Sequence, residues 1–268
     1  MSRVILRLSA SFLVGVLALL AAALYLSDYY AGEQQRLAAA GDITGAMEAS
    51  RRAVRLDPFD IDALQAQSIL WRQQKEREKA VLALEEAIER DPNNYLPHLT
   101  LADFRLAIGD PGAAAEGYRN VHELNPNAVG ARASLAQALA IQGKLGEAQE
   151  VYETLARQGR IAYRDRYDLG RIQVRTGEPL EGTKNIKRAK RLAVAELNRS
   201  RGLARQQQRQ LVMSMNLATA DAFVVQGRYE RARGILEKSR SEQAPGLLEL
   251  LNSDPAAYRE QVVTSDIY

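Results

Sequence analysis

Few residues in this 268-residue chain could do chemistry on a substrate. His98 and His122 are the only histidines, and no carboxylate stands beside either at the helical spacing of a zinc site. Both are read as structural. Cysteine is absent, which removes thiol nucleophiles, Cys-based metal sites, disulfides and a lipidated cysteine anchor together. No phosphate-binding GxxxxGKS/T, GxSxG nucleophile elbow or HExxH zinc sequence occurs. Asp57, Asp91 and the Glu85–Glu86 pair read as helix-end and exposed-face residues, not as acid–base pairs. Asn198-Arg199-Ser200 matches a glycosylation acceptor, a short pattern that chance supplies, and it sits in a basic stretch. The expectation is a protein without catalytic residues, cofactor or metal.

What the chain does carry is segregated charge. Between Arg157 and Arg209 stand fifteen Lys/Arg against five Asp/Glu, and the rest of the chain holds 21 basic and 28 acidic residues, so a formal net charge of +3 conceals a polarised molecule. Four readings of the basic block stay open: a solvated helix pair, a docking surface for an acidic protein segment, contact with anionic lipid headgroups or glycans, and nucleic acid. The last is disfavoured because aromatic residues are not interleaved with the cations. The hydrophobic content of 46%, with only four Phe and one Trp among many Ala, Leu, Arg, Glu and Gln, fits a packed all-α protein.

The elements that position these residues begin with an apolar run. Leu8 to Ser27 contains no charged residue, and twenty residues of helix span roughly 30 Å, the thickness of a hydrocarbon core. Arg3 and Arg7 precede the run while Asp28 and Glu33 follow it, which by the positive-inside rule places the N-terminus in the cytoplasm and the remainder on the far side, the periplasm of a Gram-negative cell. Residues 1–28 are therefore expected as a cytoplasmic start and a signal anchor in the inner membrane. A cleaved signal peptide is the competing reading, because Ala21, Ala22 and Ala23 offer a small-residue cleavage site. Against it, the run stays apolar through Leu24, Tyr25 and Leu26. Tyr25, Tyr29 and Tyr30 are the candidate interfacial aromatics.

Beyond the anchor the sequence keeps a 34-residue period. Asp57-Pro58, Asp91-Pro92 and Asn125-Pro126 recur at that interval, and each pair is expected to end a helix. Gly41, Lys75, Gly109, Gly143 and Gly177 share one register, as do Ala46, Ala80, Ala114, Ala148 and Gly182. A glycine permits the reversal between two helices, and a small residue five positions on lets them approach. Ala53, Ala87 and Ala189 form a second small site. Leu37, Trp71, Leu139, Leu84, Tyr118, Tyr152 and Ile186 fill the space between. This pattern resembles the tetratricopeptide repeat, and the resemblance extends over residues 29–240. It implies a right-handed α-solenoid of about six helical hairpins, A and B helices alternating.

Departures from the pattern are local. Lys75 replaces a turn glycine, Arg105 a large packing residue, and Val121 and Leu155 the second small residue. The next turn, Gly227-Arg228-Tyr229 with Ala232, comes 50 residues after Gly177, which is one period plus 16. The insertion is placed at about 193–210, as an extended B helix or a linking helix. Phe223, Tyr229, Ala232 and Leu236 restore a sixth hairpin. In residues 241–268, Leu247, Leu248, Leu250 and Leu251 suggest a helix that caps the last apolar face, and Gln261 to Tyr268 is expected as a loose tail, with a partner-binding tail as the alternative.

In tetratricopeptide proteins the A helices line a concave groove that takes peptides. The resemblance then assigns partner-binding roles to Leu96, Leu99, Asp103 and Leu106 of the third unit and to Arg164, Tyr167, Arg171 and Arg175 of the fifth, the latter for an acidic segment. The Lys/Asn clamp that some members use on chaperone C-termini is missing, since Gln65, Ile69, Leu99 and Asp103 occupy those positions. The expected function is a membrane-tethered scaffold in an envelope assembly or secretion machine, such as one building a pilus, a polysaccharide, a cytochrome or exported proteins. The alternative is a holding chaperone beside the translocon. Homo-oligomerisation stays open.

Overall fold

Helix formation follows the punctuation of the sequence. Aspartate and asparagine side chains cap the starts: Asp42 accepts from the Gly45 amide at 2.9 Å, Asp60 from Ala63 at 2.9 Å, Asn94 from Leu96 at 3.1 Å and Asp110 from Ala113 at 3.0 Å. Asp57 and Asp91 close helices instead, their amides donating to the carbonyls of Ala53 and Ala87. The computed structural model describes residues 2–268, with side chains from residue 11 onward. Among these the chain is all-α, in the order α1 (Ser2–Ala39), α2 (Ile43–Leu56), α3 (Ile61–Gln73), α4 (Arg77–Arg90), α5 (Tyr95–Ala107), α6 (Pro111–Leu124), α7 (Val129–Ile141), α8 (Leu145–Arg157), α9 (Tyr163–Arg175), α10 (Pro179–Arg199), α11 (Gly202–Val225), α12 (Tyr229–Leu236), α13 (Ala244–Ser253) and α14 (Pro255–Thr264).

The turns fall where the period puts them. Gly41, Gly109, Gly143, Gly177 and Gly227 all adopt positive φ, and so does Lys75, at 62°, the one non-glycine residue among those described that does. The second hairpin therefore keeps the same turn geometry with a residue that pays a Cβ penalty for it. Gly159, also at positive φ, ends α8 where an Asx-Pro pair ended the earlier B helices.

The chain divides into two compact units, Met1–Ile108 with Glu123–Asn125, and Gly109–His122 with Pro126–Tyr268. In the first, Ala46, Ala53, Ala80, Ala87 and Leu84 are buried to 0% exposure, so both small sites lie where hairpin helices touch. Arg105, standing where a large packing residue is expected, ion-pairs with Glu85 at 2.9 Å instead of filling the core. α1 continues without a break from the apolar run into the first hairpin, as the sequence suggests: the buried Ser27 donates to the Ala53 carbonyl at 3.1 Å, and Arg52 lies 5.4 Å from the Tyr30 ring. Phe12, Leu13, Val14, Leu17, Leu19, Leu20 and Leu24 of the same helix are exposed. Arg3 and Arg7, which orient the anchor in the sequence reading, lie outside the residues whose side chains are described.

In the second unit Ala114, Ala148, Tyr118, Val121, Leu155, Ile186 and Ala189 are fully buried, with Tyr152 at 1%. Two glycines let α9 and α10 approach closely. A Cβ on Gly182 would stand 2.5 Å from the Gly170 carbonyl oxygen, and one on Gly170 would stand 2.8 Å from the Gly182 carbonyl oxygen. The 16-residue insertion is shared by two helices: α10 and α11 run to 21 and 24 residues and meet at Ser200–Arg201. Buried Gln208 staples them by donating to the Ala193 carbonyl at 2.9 Å. Leu251 of α13 is buried and Leu247, Leu248 and Leu250 pack on the same core. The segment expected to be a loose tail is different. Asp254 caps a further helix, α14, whose Tyr258 and Val262 are buried, and Ile267 beyond it is buried as well. The reason is an Asp-Pro start that serves as an N-cap and not as a stop, followed by Tyr258 and Val262 one turn apart, both buried.

Candidate peptide-binding faces

The basic face of α9 is built by residues one turn apart. Tyr167, Arg171 and Arg175 follow each other at intervals of four, which places them on one side of the helix. Tyr167 is buried, both arginines are half-buried and Arg164 is exposed. The guanidinium of Arg171 lies 5.3 Å from the Tyr167 ring and 3.5 Å from the Asp168 carboxylate. Beside them is a cavity of about 220 Å³ lined by Tyr167, Arg171, Arg175, Ser214, Asp221 and Gln243, among others.

Two of the arginines are already engaged within the chain. Arg171 donates to the Ile267 carbonyl, and Arg175 donates through Nε to the Ser265 carbonyl at 3.0 Å and through Nη2 to its hydroxyl at 3.1 Å. The Tyr268 ring lies 5.9 Å from the Arg171 guanidinium. Residues 265–268 thus occupy the face that the sequence assigned to an acidic partner.

Carboxylates complete this polar cluster. Tyr258 donates to Asp221 at 2.8 Å. Removal from water pushes the Asp221 carboxyl up to about 6, against the opposing pull of the Tyr258 hydrogen bond and of Arg175 and Arg171. Asp168 is likewise pushed up to about 6, chiefly by desolvation, although Arg171 and the Tyr268 hydroxyl favour its charge. Desolvation also raises Asp165 and lowers Arg175. Asp168, Asp221, Tyr258 and residues 265–268 were not legible as site residues. The only hint was an apolar-aromatic ending, Ile267-Tyr268, after an Asp-Pro helix start.

In the first unit Leu96 and Asp103 of α5 are exposed and Leu99 and Leu106 half-buried. Ile69 of α3 is half exposed, and Gln65 accepts from the Thr100 hydroxyl at 3.4 Å. α5 therefore presents a mixed apolar surface. A third face lies on α10, where Lys184, Lys187, Lys190 and Arg191 surround Val194. Among the described residues no group of three potential metal ligands occurs. His98 Nε2 lies 3.1 Å from the Pro92 carbonyl, and His122 Nδ1 is buried without a hydrogen-bond partner.

Positive-φ turns every 34 residues, buried small residues at the two approach points and alternating A and B helices define a helical-hairpin repeat protein. Residues 64–94 match the tetratricopeptide repeat model, and the fold is that of the tetratricopeptide repeat proteins. The chain is similar to a tetratricopeptide repeat protein of Parabacteroides merdae (TM-score 0.61, 16% identity, covering 89% of this chain and 90% of that one). It is also similar to MamA (TM-score 0.56, 19% identity, 66% and 97%) and to YrrB, described as a tetratricopeptide protein with an unusual peptide-binding site (TM-score 0.51, 19% identity, 60% and 82%). No curated relative matches the sequence.

Proposed function

We propose that the chain is a membrane-tethered adaptor that binds segments of partner proteins on the A-helix faces of its hairpins, outside the cytoplasm, within an envelope assembly or secretion machine. The observation that carries this reading is α1. One uninterrupted helix joins an exposed apolar stretch from Phe12 to Tyr25 to the first hairpin, where Ser27 and Gln34 are buried. A core helix of a soluble domain would bury that stretch, and a helix continuous with the array would hold the array at the bilayer. The faces of α5 and α9 supply apolar and cationic surface respectively, with Leu96, Leu99, Asp103 and Leu106 on the one and Arg164, Tyr167, Arg171 and Arg175 on the other. The peptide-binding site named for the structurally similar YrrB supports the adaptor reading by analogy of fold. Packed hairpins, with no group of three potential metal ligands among the described residues, are suited to holding other chains.

Crosslinking in intact membranes followed by purification and mass spectrometry tests the proposal. Recovery of one dominant multiprotein machine is the expected result. Recovery of many unrelated exported proteins would replace the adaptor with a holding chaperone, and recovery of cytoplasmic proteins alone would overturn the orientation.

A further inference from the structure

The face of α9 is not empty, and its occupant describes what it recognises. Residues 265–268, Ser-Asp-Ile-Tyr, leave α14 in extended backbone, Ser265 having φ −69° and ψ 147°. Two main-chain carbonyls, those of Ser265 and Ile267, are read by Arg175 and Arg171. These contacts go to backbone, so they would be made by any segment in the same extended path. Side chains add selection: Ile267 is buried and the Tyr268 ring lies 5.9 Å from the Arg171 guanidinium. The contacts bridge 90 and 96 residues of sequence. They join a four-residue segment exposed at Ser265, Asp266 and Tyr268 to a half-buried pair of arginines, the arrangement of a ligand on a receptor more than of a core.

We propose that residues 265–268 are an internal ligand of the α9 face, and that a partner binds there by displacing them with an extended segment of the same chemistry: a branched aliphatic residue followed by tyrosine. This rests on the reading of α9 as a partner-binding face and adds its selectivity and its latch. A docked internal segment reduces apparent affinity by the fraction of molecules in which the face is open, so a latch closed in nine of ten molecules weakens partner binding about ten-fold.

The test uses the full chain in detergent micelles and a fluorescein-labelled peptide of the sequence of residues 261–268, with fluorescence anisotropy as the readout. The intact chain is expected to bind the peptide about ten-fold or more weakly than a chain lacking residues 265–268. Should that deletion unfold α14, the double variant Ile267→Ser/Tyr268→Ser frees the face without shortening the chain and is expected to behave alike. Adding Arg171→Ala and Arg175→Ala to the opened chain should abolish binding. Equal affinity of the intact and opened chains, or no binding by either opened form when helicity is retained, would overturn the proposal. The membrane crosslinking result stands apart: a partner captured by the intact chain with no peptide binding by the opened forms would sink the latch and leave the adaptor.

Discussion

Single residues set how tightly each hairpin closes. Lys75 holds a φ of 62° where the other units have glycine, and a Cβ in the left-handed region costs about 1–2 kcal/mol, partly offset by the entropy a glycine would lose. Lys75→Gly is therefore expected to stabilise the first unit by up to about 1 kcal/mol in chemical denaturation; an unchanged or lower midpoint would contradict the strain assigned to that turn. Gly182 shows the opposite case. Alanine serves at the corresponding positions 46, 80, 114 and 148, each fully buried, yet at 182 a Cβ would meet a backbone oxygen at 2.5 Å and the Val174 side chain at 2.8 Å. Gly182→Ala should cost about 1–3 kcal/mol by overpacking, whereas Gly234→Ala, on a helix with open space around it, should gain about 0.5–1 kcal/mol. A melt that moved the two variants in the same direction would refute the close approach of α9 and α10.

Among the elements, the long hairpin of α10 and α11 is joined near its tip by the Gln208 side chain. Gln208→Ala removes the amide that Gln208 donates to the Ala193 carbonyl, which keeps its own helical hydrogen bond, at a cost of about 0.5–1.5 kcal/mol. The change should appear as faster tryptic cleavage at Arg199, Arg201 and Arg205, all exposed, while cleavage elsewhere stays slow. Much of this layer was legible in advance because a 34-residue period ties turn, close approach and core together, so that Gly143 and Ala148 speak for a whole hairpin. Even the site of the insertion, near 193–210, was marked by the slip in register. Its form was not: nothing local says that the extra residues lengthen two helices and break at Ser200–Arg201. α14 was hidden for a related reason, since Asp254-Pro255 reads equally well as a helix end or a capped start. The docking of residues 265–268 on α9 had no local sign beyond the apolar-aromatic Ile267-Tyr268, because Arg175 and Ser265 are 90 residues apart and only the folded chain brings them together. For the same reason Arg171 and Arg175 were read as open to a partner, while the structure gives them a tenant.

At the level of the whole molecule, pH and membrane attachment are the properties that should report the account. Asp168 and Asp221 are both pushed up to about 6 in the folded chain, above the roughly 4 of an unfolded carboxyl. The folded state then holds these protons more tightly than the unfolded one. Their contribution to stability is fully present below about pH 4 and is lost as pH rises through about 6. Relative to the unaltered chain, Asp168→Asn/Asp221→Asn is expected to flatten the fall in melting temperature between pH 4 and 7; parallel profiles would show that these two groups do not titrate differently on unfolding.

The proposed tether is central, because it would decide where each candidate binding face is displayed. Carbonate extraction of membranes from cells making the full chain, followed by N-terminal sequencing of the product, tests it most directly. Retention in the membrane pellet with the residues before Leu8 still present is the expected result, and a soluble product beginning near Leu24 would contradict it.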